Sequence, residues 1–544
     1  MKHLLLLPLF CFFETVFSQS LPSCESKIYC QGKLLDKIQM ARLFNDSKTF
    51  VDMSLKNPED TVLENFDKLL EESDNNPSKD DLQKFVDDNF ENFELEEWSP
   101  EDYNENPQFL EQIKDESVRQ FAQDLVKLWP KFGRKMKPEV KENPDQYSVI
   151  PVTNGFIVPG GRFNEFYYWD TYWIIKGLLL CEMQDTVKGI LENFFEIVQN
   201  YGFVPNGARV YYLNRSQPPL LTLMTASYMK VSDDTQWLGQ NIDTLETELN
   251  FWMKNRTIQV ELDGSTYNLF RYDSESGSPR PESYYEDVQS ASTLENEDQK
   301  VQLWADLKSA AESGWDFSSR WMVNQNGGNE GNLTDAHTRD IIPVDLNSFL
   351  CQAFSIMSNF YKTLDNDEKA NFWSEQTQTL KTAIKEVFYD EDDGVWYDYD
   401  SKLSQKRKYF YPSNLTPLWA RANHQIDPKK IIKYLEQVLD YEGGIPASLI
   451  KSGQQWDFPG AWPPLQEIVI NSLYRTGDDE ANNLAKELAQ KWIKSNMEAY
   501  NEYGAMFEKY DAEQAGKPGG GGEYEVQEGF GWTNGVALML VKWV

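Results

Sequence analysis

The sequence predicts an all-α protein, and three observations carry that expectation. Beyond residue 150, apolar side chains recur at helical i, i+3, i+4 spacing. Strand signals are few and short, such as the run 394–399. Long strands do not alternate with helices, which disfavours a doubly wound α/β sheet.

In chain order, Lys2 comes first, followed by an apolar run over 4–13 and the small side chains Val16 and Ser18. This pattern predicts a signal peptide over 1–18, cut after Ser18, and hence a secreted, extracellular protein. Cys11 leaves with it, and four cysteines remain. Cys24 and Cys30 are close enough to bridge in the secretory pathway. Cys181 and Cys351 sit in apolar stretches and read as buried thiols, with a bridge between them left open. At this length the rest, 19–544, could be one large domain or several, and its N-terminal portion over 19–145 reads as acidic and helical. Within that portion, Leu82, Phe85 and Val86 mark an amphipathic stretch. The acid run 91–97 reads as a solvated helix face or loop rather than a docking surface.

Four helices stand out further along. Their apolar marks are Val187 with Val198, Phe354 with Leu364, Ile431 with Leu439, and Leu484 with Ile493. Gly/Pro/Asn-rich stretches separate them, where functional loops normally lie. No later apolar run approaches the ~20 residues that span a bilayer, and 536–544 is short and contains Lys542. A membrane or lipid anchor is therefore not expected. A net charge of −35 argues against nucleic acid and anionic membrane surfaces. Asn45, Asn214, Asn255, Asn332 and Asn414 each open a glycosylation sequon, with Asn214 doubtful because it adjoins Arg215.

The chemistry available is narrow. After the leader only His337 and His424 remain, too few for a Ser-His-acid triad or a multi-histidine zinc site. No metal or cofactor is expected. The glycines 519–522 lack the Lys-Ser/Thr of a phosphate loop, and Glu523 would repel a phosphate. Carboxylates, arginines and aromatic rings are plentiful. The stretch Pro159-Gly160-Gly161-Arg162-Phe163-Asn164-Glu165-Phe166-Tyr167-Tyr168-Trp169-Asp170-Thr171-Tyr172 packs a glycine turn, an arginine, two acids and six aromatics together. Such a mixture suits a sugar pocket, since rings cover pyranose faces while charged groups bond the hydroxyls. An aromatic core helix after a turn would read the same way.

Asp316, in Gly314-Trp315-Asp316-Phe317-Ser318-Ser319-Arg320-Trp321, is the general-acid candidate. Trp315, Phe317 and Trp321 could desolvate it and raise its pKa, whereas Arg320 nearby would act the other way. A helix N-cap is the alternative reading. Glu508, in Phe507-Glu508-Lys509-Tyr510-Asp511, is the base candidate, with a surface ion pair as the alternative. Glu523 is its rival, carried on glycine-rich backbone. Arg162, Arg215 and Arg280 could hold sugar hydroxyls or form structural salt bridges. Trp456 and Trp462 suit either pocket walls or the core.

These motifs resemble the trehalase family, the inverting α,α-trehalose glucohydrolases of glycoside hydrolase family 37. The stretch 159–172 is similar to the family's first signature. Gln455-Trp456-Asp457-Phe458-Pro459-Gly460-Ala461-Trp462-Pro463-Pro464-Leu465-Gln466 resembles the second. The run 519–535 resembles its Gly-rich C-terminal loop, and Tyr29-Cys30-Gln31-Gly32 with 46–52 resembles the eukaryotic secreted branch. One departure is Gly460, where animal members usually carry Asn.

The resemblance implies a single catalytic domain over 19–544, an (α/α)6 toroid with the site at one mouth, and trehalose as substrate. It places the general acid at Asp316 and the base at Glu508. It marks Arg162, Trp169, Asp170, Asn206, Arg215, Gln217, Arg280, Glu282, Gly314 and Glu523 as substrate contacts, with Ser216 and Pro281 from the same motifs. Inversion implies carboxyl groups about 6.5–9.5 Å apart, with a water between base and sugar. Two alternatives remain: another inverting α-glucosidase, glucoamylase-like, or a non-catalytic sugar-binding protein on the same scaffold.

Overall fold

The computed structural model describes residues 21–424 and 426–544, so the signal-peptide reading of 1–18 lies outside the described residues. Twelve of the helices from residue 116 onward build the toroid. They are α1 (Glu116–Val126), α2 (Asp170–Leu180), α3 (Gln184–Tyr201), α4 (Leu221–Ser232), α5 (Thr235–Asn255) and α6 (Val344–Thr363). They continue with α7 (Asp367–Ala383), α8 (Thr416–Trp419), α9 (Pro428–Leu435), α10 (Pro463–Arg475), α11 (Asp479–Tyr503) and α12 (Gly531–Leu540). The even-numbered helices pack in sequence, α2 on α4, α4 on α6 and onward to α12, and α12 packs back on α2. That closes an inner ring. The odd-numbered helices lie outside it, for example α3 on α2 and α4, α7 on α6 and α11 on α10. The architecture is an all-α (α/α)6 toroid with few short strands.

Burial explains which helix goes where. A helix covered on all sides is apolar all round, and an outer one needs only a stripe. In α12 every residue from Gly531 to Leu538 is buried, and α10 is buried continuously from Pro463 to Ile470. The outer α1 buries Val118, Phe121, Ala122, Leu125 and Val126, and α9 buries only Ile431, Tyr434 and Leu435. Gly177 and Gly535 let α2 and α12 meet backbone to backbone. A Cβ on Gly535 would sit 2.1 Å from the Trp173 carbonyl oxygen. Gly535→Ala is therefore expected to cost roughly 1–3 kcal/mol through overpacking, read as a lower Tm in thermal unfolding.

The N-terminal portion builds a second hydrophobic cluster, from Ile28 to Phe90, which meets the body at Tyr167, Tyr211 and Tyr212. Its helices include Lys33–Met40, Ser47–Val51, Glu59–Glu72 and Lys79–Asn89. Cys24 and Cys30 form a disulfide, while Cys181 and Cys351 are free, buried thiols, so the second bridge left open by the sequence is not made.

Several local expectations need correcting. Part of the acid run 91–97 is an edge strand, Leu95–Glu97, paired with Gly133–Met136, which in turn pairs with Phe156–Ile157. Its Glu94 turns inward and takes two bonds from the Arg209 guanidinium at 2.5 and 2.8 Å. The strand expected over 394–399 is two short pieces, Val395–Trp396 and Tyr399–Asp400, with different partners. The helix expected to reach Leu439 stops at Leu435, followed by one 3-10 turn. No helix among the described residues is long and apolar enough to cross a membrane.

Candidate active site

The N-terminal ends of inner helices converge on one pocket. Asp170 opens α2, Trp462 precedes α10, and Phe530 and Trp532 bracket the start of α12. Loops complete it. Asp316 follows the helix Glu297–Glu312, and Glu508 follows α11. The pocket encloses ≈ 650 Å³ of space free of protein atoms, part of it at the mouth.

Its walls are aromatic. The indoles of Trp456 and Trp462 stack at 3.8 Å with planes 2° apart, and Trp315 stacks behind Trp456 at 5.2 Å. Trp169 and Trp532 close the sides. Trp315, Phe317 and Trp321 are buried but do not line the pocket.

Five carboxyl groups line this space: Asp170, Glu282, Asp316, Glu508 and Glu523. Burial pushes Asp316 up to about 7. Arg280 and Arg215 pull it down, and Glu523 pushes it up. Burial also raises Glu508, against the opposing charge of Lys509 and a hydrogen bond from Tyr524. The neighbouring Lys509 cation favours the ionised form of Glu508, but desolvation outweighs it. Lys509 is itself drawn down to about 8 by burial. Asp170 is held well above the usual carboxyl range, first by burial and then by the nearby Glu508 and Asp316 charges. Arg320 does not oppose Asp316. Its guanidinium is fully buried between Asp345 at 2.7 Å and Asp398 at 2.7 Å. Removing it strands two carboxylates, so Arg320→Met is expected to cost about 3–5 kcal/mol, measurable by denaturant unfolding.

The three candidate arginines are both ion-paired and pocket-lining, so the two sequence readings hold together. Arg162 makes a two-pronged pair with Asp46 at 2.7 Å. Arg215 bonds Glu282 at 2.6 Å and Asn206 at 2.9 Å. Arg280 grips Asp287 at 2.6 Å and Glu523 at 2.8 Å. Three buried pocket atoms have no protein partner: Arg215 Nη1, Glu282 Oε2 and Glu508 Oε2. Buried polar atoms left unpaired cost free energy, so a polar ligand that bonded them would be favoured.

Trp169, Asn206, Gln217 and Gly314 also line the pocket. Gly314 has φ 77°, and a Cβ there would lie 2.7 Å from the Trp169 indole. Ser216 and Pro281 sit behind the wall. The Ser216 amide donates to Glu312 and its hydroxyl to the Val204 carbonyl, and the Pro281 carbonyl accepts from Gln39. Gly460 lies under the indole pair in a short strand with Asp511. A Cβ at this position would come within 2.7 Å of the Gln455 carbonyl oxygen, so glycine suits this local path.

Sequence reasoning missed Lys48, Phe163, Tyr167, Tyr212, Ser283, Tyr524, Phe530 and Trp532, which all line the pocket. Most stand within the motifs already singled out, beside chosen residues. Lys48 stands in the run 46–52, which reads only as a mark of the eukaryotic branch, and Tyr212 carried no signal. Lys48 arrives because the N-terminal cluster folds against the mouth, where it pairs with Glu165 at 2.6 Å.

A family model described as trehalase matches residues 42–544. The chain belongs to the trehalase family. A trehalase of Tenebrio molitor is 54% identical over 534 residues, covering 97% of this chain and 96% of that protein. A human trehalase is 52% identical over 527 residues, covering 96% of this chain and 90% of that one. The structure of a Saccharomyces cerevisiae neutral trehalase superposes with a TM-score of 0.58 at 24% identity, covering 75% of this chain and 79% of that one. That likeness bears on the fold and agrees with the closed ring of helices in this trehalase-family chain.

Proposed function

We propose that the protein hydrolyses α,α-trehalose to two glucose molecules with inversion. Asp316 gives its proton to the bridging oxygen as the C–O bond breaks. Glu508 takes a proton from a water on the opposite ring face, and that water attacks the oxocarbenium-like carbon. One product is β-glucose and the other is α-glucose. Arg162, Arg215, Arg280, Asn206, Gln217, Glu282, Asp170 and Glu523 hold the hydroxyls, and the tryptophans cover the ring faces. The mechanism itself needs no metal or organic cofactor.

One observation carries this reading. Asp316, drawn up to about 7, shares an aromatic pocket with Glu508, which keeps one buried oxygen unpartnered. The relatives named trehalase support trehalose as the sugar. Proton NMR of fresh product tests it, with β- and α-glucose expected in equal amounts at first. Two α-glucose molecules, or no glucose at all, would refute the reading. A panel of trehalose, maltose and starch is expected to show release from trehalose alone.

The protein is further proposed to be secreted after cleavage behind Ser18, with 19–544 acting as one unit. Asn45, Asn255 and Asn332 are exposed and available for glycans. Asn414 is buried and donates to the Tyr409 carbonyl and the Tyr434 hydroxyl, and both side-chain polar atoms of Asn214 are buried. Mass spectrometry of protein from a secreting cell is expected to find a new terminus at Gln19 and sugars on those three asparagines only.

A further inference from the structure

One side chain touches Glu508 directly without being part of the proton-transfer pair. The Tyr524 hydroxyl donates to Glu508 Oε1 at 2.8 Å, while Glu508 Oε2 is buried and unpartnered. One oxygen of the carboxylate is tethered and the other is left to receive a proton. The phenol is itself well held. The Arg162 guanidinium lies 4.5 Å from its ring centre, and Phe163 meets it edge-on at 5.5 Å. Gln455 reaches the same hydroxyl at 3.4 Å and also donates to the Asp316 backbone carbonyl.

Tyr524 rides on the Gly-rich loop, and that loop is docked. Lys509 Nζ donates to the Gly521 carbonyl at 3.1 Å, and Glu523 accepts from Arg280 and from the Ser283 hydroxyl. Gly521 and Gly522 hold φ values of 81° and 89°. A Cβ on Gly522 would sit 2.7 Å from the Gln455 side chain. Only glycine lets the loop lie this close.

We propose that Tyr524, held on the docked Gly-rich loop, is a positioning residue for Glu508. The inference rests on the reading of Glu508 as the base. A donor on a carboxylate favours its charged form and fixes its plane. Here it works against the burial that raises Glu508. The other groups acting on Glu508 are Lys509 on its own segment, Arg162 on the turn before α2, the Gln527 backbone and Asp170 at the start of α2, and Asp316 lines the same pocket. Tyr524→Phe leaves all of them in place.

The test is the pH profile of Tyr524→Phe on trehalose. kcat is expected to fall about tenfold or more, with KM changed less than about threefold. The acid limb of kcat/KM is expected to move to higher pH, because Glu508 loses a donor that stabilises its charge. A wild-type kcat, or a lower kcat with the acid limb unmoved, overturns the proposal. Gly522→Ala keeps the phenol but lifts the loop, and is expected to shift the same limb the same way. An unmoved limb there also counts against it. An inactive Glu508→Gln beside an unaltered Tyr524→Phe sinks this inference alone. A fully active Glu508→Gln would sink the base assignment as well.

Discussion

Asp316→Asn is expected to lower kcat on trehalose by about 10²–10⁴, with Tm and circular dichroism unchanged. Asparagine keeps the shape of the side chain and cannot supply the proton. The sign of the pH dependence follows from the burial that lifts Asp316 to about 7. A general acid must be protonated, so kcat/KM falls as pH rises through that region, giving the alkaline limb of the profile. A substrate with a better leaving group needs less help from an acid. The variant is therefore expected to recover much of its rate on α-D-glucosyl fluoride and to lose the alkaline limb there. Near-normal turnover of trehalose by Asp316→Asn would remove Asp316 from its role.

Glu508→Gln is expected to lose at least as much, about 10²–10⁴ in kcat, on trehalose and on the fluoride alike. Both reactions need an activated water, and a better leaving group does not replace the base. With Glu508 as the proposed base, the acid limb of the wild-type profile is expected to follow its titration. Activity falls as pH drops and the carboxylate takes a proton. Burial raises this group, so the limb lies above the ordinary glutamate range. Glucose release measured across pH checks the limb, and fluoride release checks the second substrate. Recovery of Glu508→Gln on the fluoride would mean that the two carboxyl roles are assigned the wrong way round.

The candidate pocket was legible where chemistry and motif coincide. Arg162, Trp169 and Asp170 share one stretch, and Glu523 neighbours Tyr524, so local composition pointed at them. Lys48 and Tyr212 were not legible, because their position depends on the N-terminal cluster meeting the body across the mouth. Ser216 and Pro281 show the converse. They stand between pocket residues in sequence, yet their polar groups turn to Glu312, Val204 and Gln39. Periodicity found helices such as α3 and α11, since each buries a regular stripe. It could not reveal the ring. The inner α10 and α12 are buried on every side and leave no stripe to read. The two-residue strands were illegible for a different reason: they are held by distant partners rather than by local alternation.

The seam between α2 and α12 has a kinetic consequence. Gly177 and Gly535 must come into contact across most of the chain before the ring gains its inner packing. Loop-closure entropy is therefore spent long before it is repaid by burial, which slows refolding from denaturant. Until that seam shuts, the bare flanks of α2 and α12 are exposed and prone to associate with other unfinished chains. Recovery of turnover after unfolding should accordingly fall as protein concentration rises.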